Sequence, residues 1–231
     1  MTRWQVELVG HAFDLEHMRT LFTHDPRVIL DGEKSLLESS EFDELTESAA
    51  VLGKARSLLS ALNGIAALMR SSFRPVSVKG HVRYWDDDGE FHQDAFVGIE
   101  QPVRIRTILH DLTIAIDDKV ARPPPGSSES DRWARASLKD ANLRTALSWW
   151  GQEHDPANMW KVWEIVRTVP GLTIDADNRR RFEPTLNDPA LTGEAARHGR
   201  YQRAPTPDAM SLQEAEDFLA DLLRQWCNSL V

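Results

Sequence analysis

Three consecutive prolines, Pro123 to Pro125, followed by Gly126 and two serines, interrupt the chain near its middle. Proline lacks a backbone N–H and fixes its own backbone torsion, so this stretch suits neither a helix interior nor a central strand. We therefore predict a linker at residues 121–131, between an α/β domain at residues 1–120 and a helical domain at residues 132–231. The predicted fold class is α+β, an antiparallel or mixed sheet with helices followed by an all-helical bundle.

The part of the chain before the linker mixes strand-like and helical spacing of apolar residues. Trp4, Val6 and Leu8 occupy every second position, which predicts a strand with one buried face. Residues 52–69 hold apolar side chains at helical spacing, and we expect this helix to begin at the N-cap residue Thr46. Further period-two segments predict strands, with helices on one face of the sheet. They lie at residues 27–30 and 35–42, on either side of a turn at Asp31-Gly32, and at residues 76–84, 91–99, 103–105 and 112–116.

Gly64 lies inside the long predicted helix. A glycine there costs about 1 kcal/mol relative to alanine. A close packing contact would account for it, so we expect a neighbouring element to approach the helix backbone at this position.

The segment Asp86 to Gly89 predicts a hairpin turn, because an Asp-Gly pair supplies the positive backbone torsions that a tight turn needs. Three consecutive aspartates also resemble a metal site. However, consecutive side chains at a hairpin tip point in different directions, and no further ligands follow at the spacing of a calcium loop. We therefore favour the turn, and we predict neither a metal ion nor another cofactor for this chain.

Beyond the linker the apolar spacing is helical. Residues 133–150 predict one helix, and Asp155 followed by Pro156 predicts the start of another. Ser211 and Glu214 form a capping-box pattern at the start of the last helix. Six of the eight tryptophans lie in this part, and at helical spacing tryptophan is far more often core than cofactor site.

The overall composition excludes several classes of protein. A net charge of -9 argues against a protein that coats nucleic acid through its total charge, although a local basic patch is compatible with it. The single cysteine, Cys227, excludes an intrachain disulfide and a multi-cysteine metal site, and its place in a helical pattern favours a buried apolar role. With neither a signal-peptide pattern nor about 18 consecutive apolar residues, we expect a cytoplasmic protein without membrane contact.

Basic side chains concentrate late in this acidic chain. They are Arg179, Arg180, Arg181, Arg197, Arg200 and Arg203, with His198 among them. Arginine offers a planar fork that matches phosphate oxygens, and histidine changes charge near neutral pH. Metal-free RNA cleavage needs a base, an acid and a cation beside the phosphate, which these residue types supply. The alternative is a solvated surface, where Arg197 pairs with Glu194 or Asp208 and His198 caps a helix end.

Three segments of the helical part carry a resemblance to a known family. Residues 182–187 (FEPTLN), 193–199 (GEAARHG) and 210–215 (MSLQEA) look like the C-terminal region of bacterial proteins whose helical domain is similar to the HEPN superfamily. The resemblance covers roughly residues 130–231. It implies a small helical bundle that is commonly dimeric. Many members are metal-independent ribonucleases of toxin–antitoxin, CRISPR-associated and abortive-infection systems, and others are non-catalytic.

The chain departs from the catalytic motif of that family. Active members carry an arginine and, several residues later, a histidine, so that both side chains converge near the start of a late helix. Here Arg197 and His198 are adjacent, and neighbouring residues on a helix diverge by about 100°. If His198 is catalytic, its arginine comes from Arg200, from the run Arg179–Arg181 or from a partner subunit.

Two functional hypotheses follow from these patterns, beside a third possibility, a purely structural or assembly protein. The first is an RNA-directed defence or toxin-type protein, a homodimer whose partners are RNA or a nucleotide and a protein encoded nearby. His198 and Arg197 are then the candidate catalytic residues, and the candidate phosphate-binding residues are Arg179, Arg180, Arg181, Arg200 and Arg203. The second is a non-catalytic sensor or binding module, in which the N-terminal sheet recognises a ligand and the helical part dimerises or signals.

Overall fold

The computed structural model describes residues 3–85, 89–96, 128–187 and 208–231. The first part holds strands β1 to β5, helices α1 and α2 and one 3-10 turn, and the second holds helices α3 to α7. In chain order the elements are β1 (Arg3–Val9), α1 (Ala12–Leu21), β2 (Arg27–Asp31), β3 (Lys34–Glu38), the 3-10 turn (Ser40–Phe42), α2 (Ser48–Met69), β4 (Ser77–Trp85), β5 (Phe91–Ala95), α3 (Glu129–Lys139), α4 (Ala141–Trp150), α5 (Pro156–Val166), α6 (Ala176–Asn187) and α7 (Leu212–Ser229).

The strands form one sheet in the order β2-β3-β1-β4-β5, and every neighbouring pair is antiparallel. This confirms the predicted α+β fold class and the strand at Trp4, Val6 and Leu8. The hairpin around Gly89 also forms, because β4 and β5 pair on either side of it. Asp86, Asp87 and Asp88 and the strands predicted at residues 103–116 lie outside the described residues.

Helix α2 covers the inner face of the sheet. Trp4, Val6 and Leu8 point towards it and are buried, as their alternation predicts. The helix begins at Ser48 with Glu47 as its N-cap, one residue later than the predicted cap Thr46. Most of its length is buried, because the sheet packs on one side and the helices of the second part pack on the other.

The contact predicted at Gly64 exists. A Cβ atom there would overlap the carbonyl oxygen of Leu147 on α4 and would lie 2.7 Å from its carbonyl carbon. Gly151 repeats the arrangement from the other side, since a Cβ there would lie 2.7 Å from the backbone nitrogen of Gly64. Helices α2 and α4 therefore pack with their backbones almost in contact, which larger residues at either position would prevent.

The single helix predicted at residues 133–150 is wrong: the chain breaks there into α3 and α4 at Asp140. The Asp140 carboxylate accepts hydrogen bonds from the backbone N–H groups of Asn142 and Leu143, so it caps α4 as an N-cap residue does. The guanidinium of Arg144 donates to the last carbonyl oxygens of α3. Apolar spacing continues across this break, which explains why the periodicity predicts one helix.

Other helix starts agree with their sequence signals. Asp155 caps α5, with Pro156 in its first turn, and Ser211 with Glu214 forms the predicted capping box of α7. Cys227 is fully buried, and burial raises the pKa of its thiol to about 12, so it stays protonated at neutral pH. Its predicted role as a buried apolar residue is confirmed.

Part of the predicted linker is helical. Residues 121–127 lie outside the described residues, but Ser128 is the N-cap of α3, which begins at Glu129. One continuous cluster of buried apolar side chains includes residues from both sides of the linker. The division into two domains stays a prediction, and the described parts of both are joined through this shared core.

A buried carboxylate adds a polar connection between the two parts. Asp131 in the first turn of α3 is 1% exposed. Its oxygens accept hydrogen bonds from the backbone and the side chains of Thr23 and His24, which follow α1, at 2.9–3.2 Å. Burial raises the pKa of Asp131, but the hydrogen bonds from His24, Ser128 and Thr23 outweigh it and lower the pKa below its ordinary value.

Within the residues that the structure describes, the helices are too short or too polar to cross a membrane.

Candidate nucleic-acid interface

The residues predicted to carry chemistry fall into two groups. Arg197, His198, Arg200 and Arg203 lie between residues 188 and 207, outside the described residues. Their catalytic and phosphate-binding roles therefore stay predictions. The run Arg179–Arg181 lies on α6, where each of the three side chains has a defined contact.

Each arginine of the α6 run pairs with a carboxylate. Arg179 contacts Glu183 at 3.4 Å, one turn further along the same helix. Arg180 contacts Asp177 at 2.8 Å and Asp208 at 3.4 Å. Arg181 contacts Glu214 at 3.3 Å and donates to the Asp208 carbonyl oxygen at 3.0 Å. The contacts with Asp208 and Glu214 join α6 to the start of α7, whereas those with Asp177 and Glu183 lie within α6. Each of these surface ion pairs contributes little to stability.

A second concentration of charge lies on the sheet, on the face opposite α2. Directly paired residues of an antiparallel sheet share a face, so the pairing of Gln5 with Arg83 and of Glu7 with Leu36 defines this surface. We call it the outer sheet face. Its polar and aromatic members include Gln5, Glu7, Arg27, Asp31, Lys34, Glu38, Lys79, His81, Arg83, Trp85, Phe91 and Gln93.

Glu7 is the buried centre of this surface. Its side chain is 4% exposed and accepts hydrogen bonds from Lys79 at 2.8 Å and from His81 at 2.9 Å. The ammonium nitrogen of Lys34, on the neighbouring strand β3, lies 3.8 Å from a carboxylate oxygen of Glu7. Burial raises the pKa of Glu7, but the hydrogen bonds and charges of these neighbours outweigh it and lower the pKa below its ordinary value.

An irregularity in strand β4 brings two basic side chains onto one carboxylate. The β1–β4 register shifts between Val6 and Leu8, so β4 has two extra residues there, and Gly80 at the bulge has a φ of 84°. That left-handed backbone conformation favours glycine. Lys79 and His81, on either side of Gly80, consequently both reach Glu7.

A second buried carboxylate lies near one edge of the same face. Glu38 on β3 is 7% exposed and accepts hydrogen bonds from Gln5 and from the Arg27 guanidinium. The pattern repeats the surroundings of Glu7: the carboxylate is buried, and about half of the Arg27 side chain stays in solvent. At Glu7 and Glu38 the negative charge lies beneath the cations, whereas in the Arg83–Asp31 pair the carboxylate is the more exposed partner.

Aromatic side chains lie at the other end of the face. Phe91 on β5 is 51% exposed, and its ring centroid lies 5.3 Å from that of Trp85 on β4. The Arg83 guanidinium lies over the Phe91 ring at 5.7 Å and also contacts Asp31 at 2.7 Å. An exposed ring beside an arginine is a surface on which a nucleic-acid base can stack.

The outer sheet face combines three kinds of group. It presents hydrogen-bond donors, positive charge and an aromatic platform. In the described part of the chain, histidine, cysteine, aspartate and glutamate side chains do not gather in groups of three or more that suit a metal ion.

The outer sheet face is not predicted by any pattern in the sequence. The alternation of apolar and polar residues along β1 does indicate that Gln5 and Glu7 point away from the core. However, the cations that surround Glu7 come from β3 and β4, and Lys79 lies 72 residues away along the chain. Only the strand order and the bulge at Gly80 bring them together.

Comparisons of the chain with protein-family models, with curated proteins and with solved structures give no match.

Proposed function

We propose that this chain is an RNA-directed protein and that the outer sheet face binds single-stranded RNA. The observation that carries the proposal is the arrangement around Glu7, where exposed cations lie over a buried carboxylate, on the same face as the exposed ring of Phe91. Basic groups next to stacking rings on a sheet are a recurrent mode of RNA recognition. The family resemblance of the helical part independently implies an RNA-directed role.

Charge on this face favours a phosphate backbone despite the acidity of the whole chain. Four cationic side chains, Arg27, Lys34, Lys79 and Arg83, stand against three carboxylates, Glu7, Asp31 and Glu38. Lys79 is 48% exposed, whereas Glu7 is 4% exposed, so a phosphate meets the ammonium group first. A protonated His81 adds a further positive charge. The chain as a whole carries -9, so this face is locally basic on an acidic protein.

The buried carboxylates also hold the cations in place. Without them, lysine and arginine side chains would lose rotamer entropy when they bind a phosphate. Ion pairs with Glu7 and Glu38 already restrict Lys79 and Arg27, so part of that cost is met before RNA arrives. This favours a binding surface with defined phosphate positions.

The salt dependence of RNA affinity distinguishes phosphate contacts, such as that of Lys79, from base stacking on Phe91. Fluorescence anisotropy with a labelled single-stranded oligonucleotide, from about 50 to about 200 mM salt, gives both affinity and salt slope. We expect Lys79→Gln to weaken binding and to reduce the slope by roughly 0.7, the value for one lost phosphate contact. Phe91→Ala should weaken binding by about 5- to 100-fold through lost stacking, with the slope unchanged.

Arg167→Gln is the matched control, because Arg167 is an exposed cation at the end of α5 and away from the sheet. It should change neither affinity nor slope. If Lys79→Gln binds like the unaltered protein while Arg180→Gln weakens binding, RNA contacts the α6 run and the proposed surface is wrong.

Catalysis is a separate part of the proposal. In the ribonuclease form, His198 acts as acid or base, and Arg197 with the basic residues near it stabilises the phosphate. We expect cleavage of single-stranded RNA that persists in the presence of a metal chelator and is lost in His198→Ala. If the protein binds RNA and His198→Ala alters nothing in a cleavage assay, the ribonuclease hypothesis is wrong. The protein is then a non-catalytic binding module.

A further inference from the structure

A cavity of about 330 Å³ lies at the other face of the sheet, between its β4–β5 edge and the start of α2. Among the described residues it is lined by Trp4, Thr46, Glu47, Ser48, Ala49, Tyr84 and Asp94. Its size falls at the lower end of the range for small-molecule sites, about 300–1,000 Å³. It is separate from the outer sheet face, because Trp4 and Tyr84 point inwards.

One wall of the cavity is aromatic and rigid. Trp4 and Tyr84 line the cavity and are cross-strand neighbours, with ring centroids 4.6 Å apart. Tyr84 is also stacked on His92, which is outside the lining, with ring centroids 4.8 Å apart. The indole N–H of Trp4 donates to the Leu45 carbonyl oxygen at 3.0 Å, which fixes the ring. This wall offers a ligand an apolar surface that is formed before binding.

The charged residues that line the cavity are both acidic. Glu47 and Asp94 contribute two carboxylates, and in the described part of the chain the lining contains no lysine, arginine or histidine. The positive end of α2 also faces this region, but it amounts to only about half a unit charge. The two carboxylates therefore outweigh it, and the local field is negative.

Hydroxyl groups add further acceptors. Thr46, Ser48 and Tyr84 line the cavity together with the carboxylates. Acceptors spread around a small space suit a cation that carries several N–H donors.

We propose that this cavity binds a small organic cation with N–H donors, a guanidinium or a primary ammonium on a short aliphatic chain. Asp94 and Glu47 neutralise its charge, the hydroxyl groups accept its remaining hydrogen bonds, and its aliphatic part lies against the rings of Trp4 and Tyr84. This proposal is independent of RNA binding on the outer sheet face.

Matched probes test the charge requirement. n-Butylguanidinium and n-butylurea have nearly the same shape, but only the first is charged. We expect isothermal titration calorimetry with the full chain to give saturable binding of n-butylguanidinium in the millimolar range, and n-butylurea to bind at least about tenfold more weakly. n-Butylammonium tests the primary ammonium form, and sodium chloride at equal concentration controls for ionic strength.

Variants then locate the site. Asp94→Asn should weaken n-butylguanidinium binding by at least about tenfold, which is what one lost charge-assisted hydrogen bond gives. Asp31→Asn, the same change on the outer sheet face, should leave that affinity unaltered. Tyr84→Phe removes the hydroxyl group, keeps the ring, and should weaken binding by a smaller factor.

Three results would overturn the proposal. They are an absence of saturable binding, equal binding of n-butylurea, and equal weakening by Asp94→Asn and Asp31→Asn. Folding of each variant is checked by its denaturation midpoint, and Glu47→Gln repeats the carboxylate test if Asp94→Asn does not fold.

Discussion

The imidazole Nδ1 of His154 lies 2.7 Å from the Glu216 carboxylate and joins the α4–α5 connection to the first turns of α7. The other ring nitrogen lies 2.8 Å from the Trp150 carbonyl oxygen. Both neighbours are acceptors, so only the protonated ring can donate to both. Burial lowers the pKa of His154, but these hydrogen bonds and the charge of Glu216 outweigh it and raise the pKa above 6.5.

The first prediction concerns the pH dependence that follows. Because the folded pKa of His154 is raised, its stabilisation is complete below about pH 6.5 and is lost as the pH rises through the folded pKa. We expect the unaltered protein to exceed His154→Gln in free energy of unfolding by about 1–2 kcal/mol at pH 6, and by less at pH 8.5. Urea denaturation across this range measures the difference.

His17 provides a control of opposite sign. Burial and the charge of Arg70 lower the pKa of His17, so its contribution is complete above pH 6.5 and declines as the pH falls. The advantage of the unaltered protein over His17→Gln should therefore shrink on acidification. If both variants respond to pH in the same direction, the assignment to His154 is wrong.

The second prediction concerns the contact of α2 with α4. Gly64→Ala should lower the free energy of unfolding by about 3 kcal/mol or more, because its Cβ would overlap the Leu147 carbonyl group. Gly53→Ala in the same helix is the control: in the described part of the chain a Cβ there meets no atom within 4 Å. It should stabilise the protein by up to about 1 kcal/mol, since alanine favours helix. Equal effects of the two variants would contradict the close packing.

The third prediction concerns the buried carboxylate of α3. Asp131→Asn removes the charge that Thr23 and His24 hydrogen-bond and should cost about 2–4 kcal/mol in chemical denaturation at pH 7. Because the folded pKa of Asp131 is lowered, this cost should diminish as the pH falls through that pKa. Asp155→Asn, at an N-cap where asparagine serves equally well, should cost only a few tenths of a kcal/mol.

Local sequence signals predict local features of this fold. Asp155 with Pro156 and Ser211 with Glu214 mark helix starts correctly, because a cap needs only neighbouring residues. The same logic places a close contact at Gly64 but cannot name Leu147 as the partner. The break between α3 and α4 at Asp140 is not predicted, because the apolar periodicity continues through it. The helix is interrupted by the Asp140 side chain, which accepts hydrogen bonds from the first backbone N–H groups of α4.

The features that the sequence does not predict depend on pairing between strands that are distant along the chain. Glu7 meets Lys79 and His81 only because β1 pairs with β4 and a bulge at Gly80 shifts the register. Periodicity indicates which face a residue takes but not which strand lies beside it. The candidate interface and the inner cavity both depend on that strand order.

The last prediction connects the buried centre of the outer sheet face to RNA binding. Glu7→Gln removes the negative charge beneath Lys34, Lys79 and His81. RNA affinity should rise about two- to fivefold, with a steeper salt slope, because removal of the charge that neutralises the cations outweighs the loss of the ion pairs that restrict them. Stability should fall by about 1–3 kcal/mol, since a buried charge-assisted network is lost. Glu153→Gln removes an exposed carboxylate on the helical part and should change neither quantity. Weaker RNA binding by Glu7→Gln, with the protein still folded at the assay temperature, would contradict this role of Glu7.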